Sequence, residues 1–393
     1  MQEYDVVVIG GGIHGAGVLQ AAAAAGYRAL LLEQTGIASG TSSRSSKLIH
    51  GGLRYLESGQ FGLVRESLHE RAIQLRVAPE LVKLKPFFIP VYKETRRRPW
   101  QLRIGLSIYA LLGGFAKGTA FGAVPRSEWS SLDGLDTEGL QDVIRYFDAQ
   151  TDDALLTRAV VHSALGLGAH IAVPATFLSA SLDETGVTLA YEFNGGRVEC
   201  RARVLVNAAG PWAPQVAARI QPPIPIPAVD LVQGTHIVVP RSVKAGIYYV
   251  ESPGDGRAVF IMPWHDSMLI GTTETPYVGD PARVQPLPEE EEYLLAVARR
   301  YMTTCRNLTR NDITTRFAGL RVLPAASESA FNRSRETIFT TDRDTGPRVL
   351  SIYGGKLTGW RAAAAHVLGV LRASLPVRTA RASTSQLPLR RMT

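Results

Sequence analysis

Apolar residues in this chain take two patterns: short unbroken runs, and longer stretches in which they recur every three or four positions. Residues 4–9 (YDVVVI) and 28–32 (RALLL) are continuous enough for strands buried on both faces. Between them, residues 16–25 form an alanine-rich helical stretch. Leu63, Val64, Leu68, Ala72 and Leu75 repeat at helical spacing within 61–77. A charged loop with a proline stop, ETRRRPW at 94–100, leads to a short apolar helix over 104–112. Asp152 and Asp153 put acids at the positive end of a helix reaching residue 167, and a buried strand over 170–173 follows.

Residues 188–193, the turn Asn194-Gly195-Gly196 and residues 197–203 predict a β-hairpin. The apolar run 204–206 then meets the small residues of NAAGPW at 207–212, which allow backbone to approach a ligand closely. After the stiff connector PPIPIP at 222–227, strand-like segments at 236–239, 246–250, 258–262 and 268–271 follow without helices between them. That succession implies a mostly antiparallel sheet separate from the first. Residues 289–300 read as a solvated amphipathic helix. Residues 349–353 read as a strand, followed by Gly354-Gly355 and a helix over 357–371.

The join between the first strand and the first helix carries the most specific local signal. Gly10-Gly11-Gly12-Ile13-His14-Gly15 is a G-x-G-x-x-G in full context: strand, glycine turn, helix, second strand and a terminal acid, Glu33. Gly10 permits the tight turn, Gly12 lets N–H groups approach a pyrophosphate, and Gly15 lets helix and strand pack closely. The helix N-terminus adds partial positive charge. Glu33 is placed to accept from both ribose hydroxyls and would repel a 2′-phosphate, which argues against NADP. A Rossmann-type α/β unit that binds a dinucleotide is the expectation.

Composition narrows the class. With 393 residues, 45% hydrophobic and 20% charged, the chain is expected to fold as two domains. Cys200 and Cys305 are too few for a disulfide framework or a metal cluster, so no metal is expected and a reducing, cytoplasmic setting is. No signal peptide precedes the first strand, and no apolar run is long enough to span a bilayer. The formal net charge of +8 suits an anionic substrate or membrane surface. No aromatic-basic repeat or recognition motif points to nucleic acid.

Residues 41–57 read TSSRSSKLIHGGLRYLE, crowded with hydroxyls, glycines and cations shortly after the ribose acid. Together with NAAGPW, GTHIVVP at 234–240, IGTTE at 270–274, Gly319-Leu320-Arg321 and GGKLTGWR at 354–361, this resembles the FAD-dependent glycerol-3-phosphate dehydrogenases and oxidases over nearly the whole chain. The resemblance implies an FAD domain discontinuous in sequence (1–85, 146–225 and 340–378), an antiparallel-sheet substrate domain (86–145 and 226–339) and a tail at 379–393. It implies oxidation of sn-glycerol 3-phosphate to dihydroxyacetone phosphate, and peripheral attachment to the inner face of the cytoplasmic membrane with electron delivery to quinone. Oxygen and a partner protein stay open as acceptors, and a homodimer is compatible with it. Two departures stand out. Family members often carry an additional C-terminal helical domain, where this chain ends in a Ser/Thr/Arg tail, and Gly359-Trp360 replaces the usual Thr-Tyr.

Carried over residue by residue, the resemblance assigns cofactor contacts to Gly10, Gly12, Ile13, His14, Gly15, Glu33 and Gln34. It continues through Thr41, Ser42, Ser43, Ser46, Lys47, Leu48, His50, Gly51 and Gly52. Ala209, Gly210, Trp212, Gly355, Lys356, Leu357 and Thr358 complete the set. Arg54, Arg321 and Lys356 are expected to grip the substrate phosphate, with Arg335 a further candidate and Arg333 its rival. His50 is the expected base, since its ordinary pKa lies near working pH; Tyr55 orients substrate or relays the proton instead. Thr272 or Thr273 reaches a substrate oxygen. Gly354-Gly355 would set N–H groups near the flavin pyrimidine, with Lys356 helping there or at the phosphate. A flavoprotein oxidase of an amino acid or 2-hydroxy acid needs fewer cations for its carboxylate. A non-catalytic electron-transfer subunit has no need of His50, Arg54, Arg321 and Lys356 together. Membrane contact is expected from Arg96 to Arg98 beside Trp100, from 104–112, and from the helix bearing Trp360 and Arg361.

Overall fold

The computed structural model describes residues 1–325 and 337–391. One sheet has a parallel centre ordered Val349–Tyr353, Gly196–Asn207, Gln2–Ile9, Ala29–Leu32 and His170–Ala172. Val6, Val7 and Val8 are wholly buried in it, as their unbroken apolar run requires. An antiparallel flank, Ala175–Leu182 and Val187–Phe193, continues onto the first half of Gly196–Asn207. The second arm of the predicted hairpin and the apolar run after it are therefore one long strand, Gly196–Asn207.

The helices are α1 (Ile13–Ala24), α2 (Phe61–Val77), α3 (Pro99–Leu112), α4 (Asp153–Gly166), α5 (Ala213–Ala217), α6 (Pro288–Tyr301) and α7 (Trp360–Leu371). Helix α1 packs between α4 and α7. A Cβ added at Gly15 would lie 1.9 Å from Gly10 O, and one at Gly17 would lie 2.8 Å from Trp360 Cε3. Glycine at both positions is thus a packing requirement. Trp360 is buried there and donates from Nε1 to Gln74 Oε1 at 3.0 Å, while Arg361 pairs with Glu70. Neither residue is a membrane anchor, which corrects that part of the sequence expectation.

The second sheet is ordered Thr275–Tyr277, Val229–Val239, Ser267–Gly271, Ala258–Trp264, Ile247–Glu251, Val82–Tyr92, Leu140–Thr151 and Leu48–Ile49, with Thr315–Pro324 also paired to Val229–Val239. It is mostly antiparallel, as expected. Val82–Tyr92 and Leu140–Thr151, its longest new members, pair along their whole length. The first was illegible because Pro86 and Pro90, which lack the N–H a ladder needs, stand inside it. Sheet membership moves the expected boundaries. The limits at 85/86 and 145/146 fall inside strands, and Ile338–Thr341 belongs to the first sheet. The described part of the expected tail, 379–391, is also docked: Arg381 N–H donates to Ala24 O and Leu389 N–H to Val77 O, both at 2.7 Å. Helix α6 is not merely solvated, since Glu290 and Glu291 are buried with Leu294, Leu295 and Ala298.

Candidate active site

A cleft of 630 Å³ runs between the two sheets from Glu33 to Lys356. At its first end the Glu33 carboxylate accepts from Gly11 N–H at 2.6 Å, Thr35 N–H at 2.8 Å and Gly36 N–H at 3.3 Å. A carboxylate has about four acceptor positions, so Glu33 keeps acceptor capacity toward the cleft. Gln34 also lines this end.

The floor is bare backbone. A Cβ at Gly10 would meet Ala208 O at 2.6 Å, and one at Gly12 would meet Ser42 Oγ at 3.2 Å. Gly10 has φ +106°, which only glycine adopts without strain. Ser42 Oγ accepts from Ile13 N–H at 2.8 Å at the start of α1, and its own proton can be donated to an anion at that helix end. Ala209, Gly210 and Trp212 close the opposite wall. This glycine floor, positive helix end and acid fit an FAD pyrophosphate and ribose.

The loop 41–52 divides its residues between cleft and scaffold. Ser46, Leu48, His50 and Gly52 line the cleft. Thr41 lines it too but donates its hydroxyl to Leu320 O at 3.0 Å, tying the loop to the second sheet. Ser43 donates to Gly40 O at 3.1 Å. Lys47 points away: its Nζ is buried on Asp153 at 2.6 Å, and Asp153 also accepts from Ser45. The Lys47 side chain is therefore held in a structural ion pair on the scaffold side of the loop. Gly51 lies behind the cleft, because a Cβ there would stand 2.4 Å from Tyr109 Oη. Its N–H donates to Tyr109 Oη at 2.9 Å and to Asp148 Oδ1 at 3.3 Å. Asp148 in turn is paired with the buried Arg71 and accepts from Tyr109. From α7's side, Thr358 Oγ1 accepts from His50 N–H at 3.1 Å and donates to His50 O at 3.2 Å.

The cations gather at the far end. Lys356 Nζ lies 3.8 Å from the Tyr55 ring centroid and Arg54 Cζ lies 5.8 Å from it. Arg321 donates from Nη2 to Thr272 Oγ1 at 3.0 Å and pairs with Glu274 at 3.3 Å. It lies over Gly234, where a Cβ would be 2.8 Å from Nη2. The two threonines separate clearly. Thr272 faces the cleft, whereas Thr273 is buried and donates to Glu290 Oε1 at 2.7 Å, so Thr273 drops out as a substrate contact. Glu290 also accepts from Gln233, Thr235 and Thr275 and so braces the Thr272 turn. Arg335 and Arg333 lie outside the described residues.

His236 is a cleft residue that the sequence reading did not single out. Its ring stacks on Phe317 with centroids 5.0 Å apart, and Nε2 lies 3.0 Å from Ser46 Oγ. Burial, with Arg321 and Lys47 nearby, holds its imidazole well below the ordinary value, so it is neutral. One signal existed. In the register His236 faces Gly271, where a Cβ would be 2.1 Å from the ring; both lie in the motifs that carried the resemblance. Tyr249, Phe260 and Arg257 also line this end without a sequence cue.

Comparisons with known proteins agree with this geometry. A family model described as FAD dependent oxidoreductase matches residues 5–366. A Pseudomonas aeruginosa protein named glycerol-3-phosphate dehydrogenase is 39% identical over 377 residues, spanning 94% of this chain and 72% of the relative. A Brucella abortus protein named D-erythritol 1-phosphate dehydrogenase is 37% identical over 366 residues, spanning 91% and 71%. The solved structure of the glycerol-3-phosphate dehydrogenase from Bacillus halodurans complexed with FAD superposes with a TM-score of 0.73 at 28% identity, covering 96% of this chain and 67% of that one. From the glycine floor at Gly10 to the turn at Lys356, and by similarity over residues 5–366, the chain belongs to the FAD-dependent oxidoreductase family.

Proposed function

We propose that this protein oxidises sn-glycerol 3-phosphate at C2 to dihydroxyacetone phosphate. The observation that carries the reading is the gathering of Arg54 and Lys356 on Tyr55, with Arg321 beside Thr272, along the cleft that also holds His50. A phosphate dianion calls for several fixed cations, whereas the carboxylate of an amino or hydroxy acid calls for fewer. FAD, when bound, supplies the two-electron acceptor for the hydride from C2. Arg54, Lys356 and Arg321 bind the phosphate. Thr272, held by Arg321, orients an oxygen of the substrate. His50 takes the C2 hydroxyl proton, its backbone bracketed by Thr358 and its loop pinned through Gly51. Buried aromatic walls, Tyr146 and Tyr249, exclude water.

Bleaching of the flavin on anaerobic addition of glycerol 3-phosphate tests the reading, with D-erythritol 1-phosphate and glycerol as comparison substrates. Glycerol is expected to be very poor. A higher kcat/KM for the erythritol ester would move the assignment to the longer polyol phosphate. Arg321→Leu is expected to lower kcat/KM about ten- to hundredfold, the loss of one charge-assisted contact of roughly 1.5–3 kcal/mol. Unchanged steady-state kinetics would remove Arg321 from the phosphate site.

The same reading includes peripheral contact with an anionic bilayer through α3, on the inner face of the cytoplasmic membrane, and quinone as electron acceptor. Among the described residues no helix is long and apolar enough to cross a membrane. Helix α3 instead turns Trp100 (62% exposed), Ile104 (54%) and Leu111 (61%) outward along one face, with Phe115 (72%) just beyond its end. Arg96, Arg98 and Arg103 are exposed beside them. An apolar face flanked by arginines suits an anionic lipid surface. Salt-sensitive co-sedimentation with anionic but not neutral vesicles is expected, and it should fall in a Trp100→Ser/Phe115→Ser variant. Equal pelleting of that variant would exclude α3 as the contact.

A further inference from the structure

Gln74 is wholly buried in the last turn of α2, between Ile73 and the core residue Val77, and the mechanism above gives it no task. A buried amide costs free energy unless its atoms are partnered, and a methionine of similar reach would fill the space without that cost. Here the amide is fully used. Nε2 donates to Thr358 O at 2.7 Å and to Glu70 O at 3.3 Å, and Oε1 accepts from Trp360 Nε1 at 3.0 Å. An indole N–H only donates and a carbonyl oxygen only accepts, so these partners allow the amide one orientation. A tyrosine hydroxyl, usual at position 360 in the family the sequence resembles, both donates and accepts and would not impose it.

Docking of α7 on α2 does not need this amide, because Arg361 already pairs with Glu70 one turn earlier in α2. What the amide adds is a fixed Thr358 backbone. Thr358 is itself buried, and its Oγ1 holds both the N–H and the C=O of His50. A continuous chain of hydrogen bonds therefore runs from Trp360 through Gln74 and Thr358 to His50, approaching the cleft from behind. We propose that Gln74, oriented by the Trp360 indole, is a positioning residue for the reaction: by fixing Thr358 it sets where His50 stands against the C2 hydroxyl of the substrate.

The proposal rests on His50 as the base in the reaction proposed above, so its test includes a measurement that needs no substrate. Amide hydrogen exchange of the FAD-loaded enzyme, read by mass spectrometry, compares residues 48–52 with the parallel strands at 2–9 and 204–207. Gln74→Met should speed exchange at 48–52 about three- to tenfold and leave the strands at the parental rate. Anaerobic flavin reduction by glycerol 3-phosphate should lose a similar factor in its limiting rate, with the half-saturating concentration little changed. Trp360→Phe, which keeps a ring and removes the N–H, should act in the same direction. Added to Gln74→Met, it should bring no further change at 48–52. Equal acceleration in every peptide overturns the proposal, because it means lost packing alone. Parental exchange at 48–52 overturns it too, as does a parental limiting rate beside faster exchange there. A parent enzyme whose flavin is not reduced by glycerol 3-phosphate instead overturns the substrate reading, and the exchange comparison still decides whether Gln74 holds the His50 loop. If Gln74→Met does not fold, Trp360→Phe carries both measurements.

Discussion

His50→Gln is expected to retain FAD while slowing flavin reduction by glycerol 3-phosphate about 10²–10⁴-fold, the loss of a general base. FAD should be retained because what holds this loop belongs mainly to its backbone and neighbours. Thr358 brackets the His50 N–H and C=O, and Gly51 N–H is fixed to Tyr109 and Asp148. Glutamine keeps that backbone and a polar side chain of similar reach, but it cannot take up a proton near neutral pH. Anaerobic stopped flow across pH should show a lower limiting rate. If the rate is unchanged at every pH, the proton leaves another way, and Tyr55 at the same end of the cleft is the first group to replace.

Asp148→Ala should cost about 3–5 kcal/mol, the usual consequence of removing one partner from a buried ion pair. The Arg71 guanidinium is buried and would keep only the carbonyls of Phe147 and Gly118. The loss would also reach the site, because Asp148 takes both the Tyr109 hydroxyl and the Gly51 N–H beneath the His50 loop. Calorimetry should record a lower Tm together with faster FAD release. A double variant, Arg71→Met/Asp148→Leu, should be less unstable than Asp148→Ala, since no charge is left without its partner. If the single variant melts like the parent, this network is not what holds the loop.

Legibility in the sequence followed how local the cause was. The strand, glycine turn and helix at residues 2–24 were readable because turn geometry and close packing act within a few residues. The unbroken apolar run at Val349–Tyr353 announced a buried strand for the same reason. Val82–Tyr92 did not, because two prolines interrupt a strand that is set by its pairing with Leu140–Thr151 and Ile247–Glu251. The polar residues of the loop 41–52 looked alike in sequence, yet Lys47 faces Asp153 while Ser46 faces His236. Choosing between Thr272 and Thr273 needed the position of Glu290.

By itself the sequence determined the chemical types present: a dinucleotide turn ending on an acid, a histidine loop, and arginines and a lysine suited to a dianion. Tertiary structure decided which of them share a cleft. Arg54 and Lys356 come from opposite ends of the chain to one tyrosine ring, and Arg321 reaches Thr272 across the intervening strand Val229–Val239. It also decided that Trp360 is core and that His236 belongs to the site. The physical reason is that a buried polar or charged group must find a partner, and that partner is set by strand register and helix packing across hundreds of residues. Spacing along the chain carries no record of it.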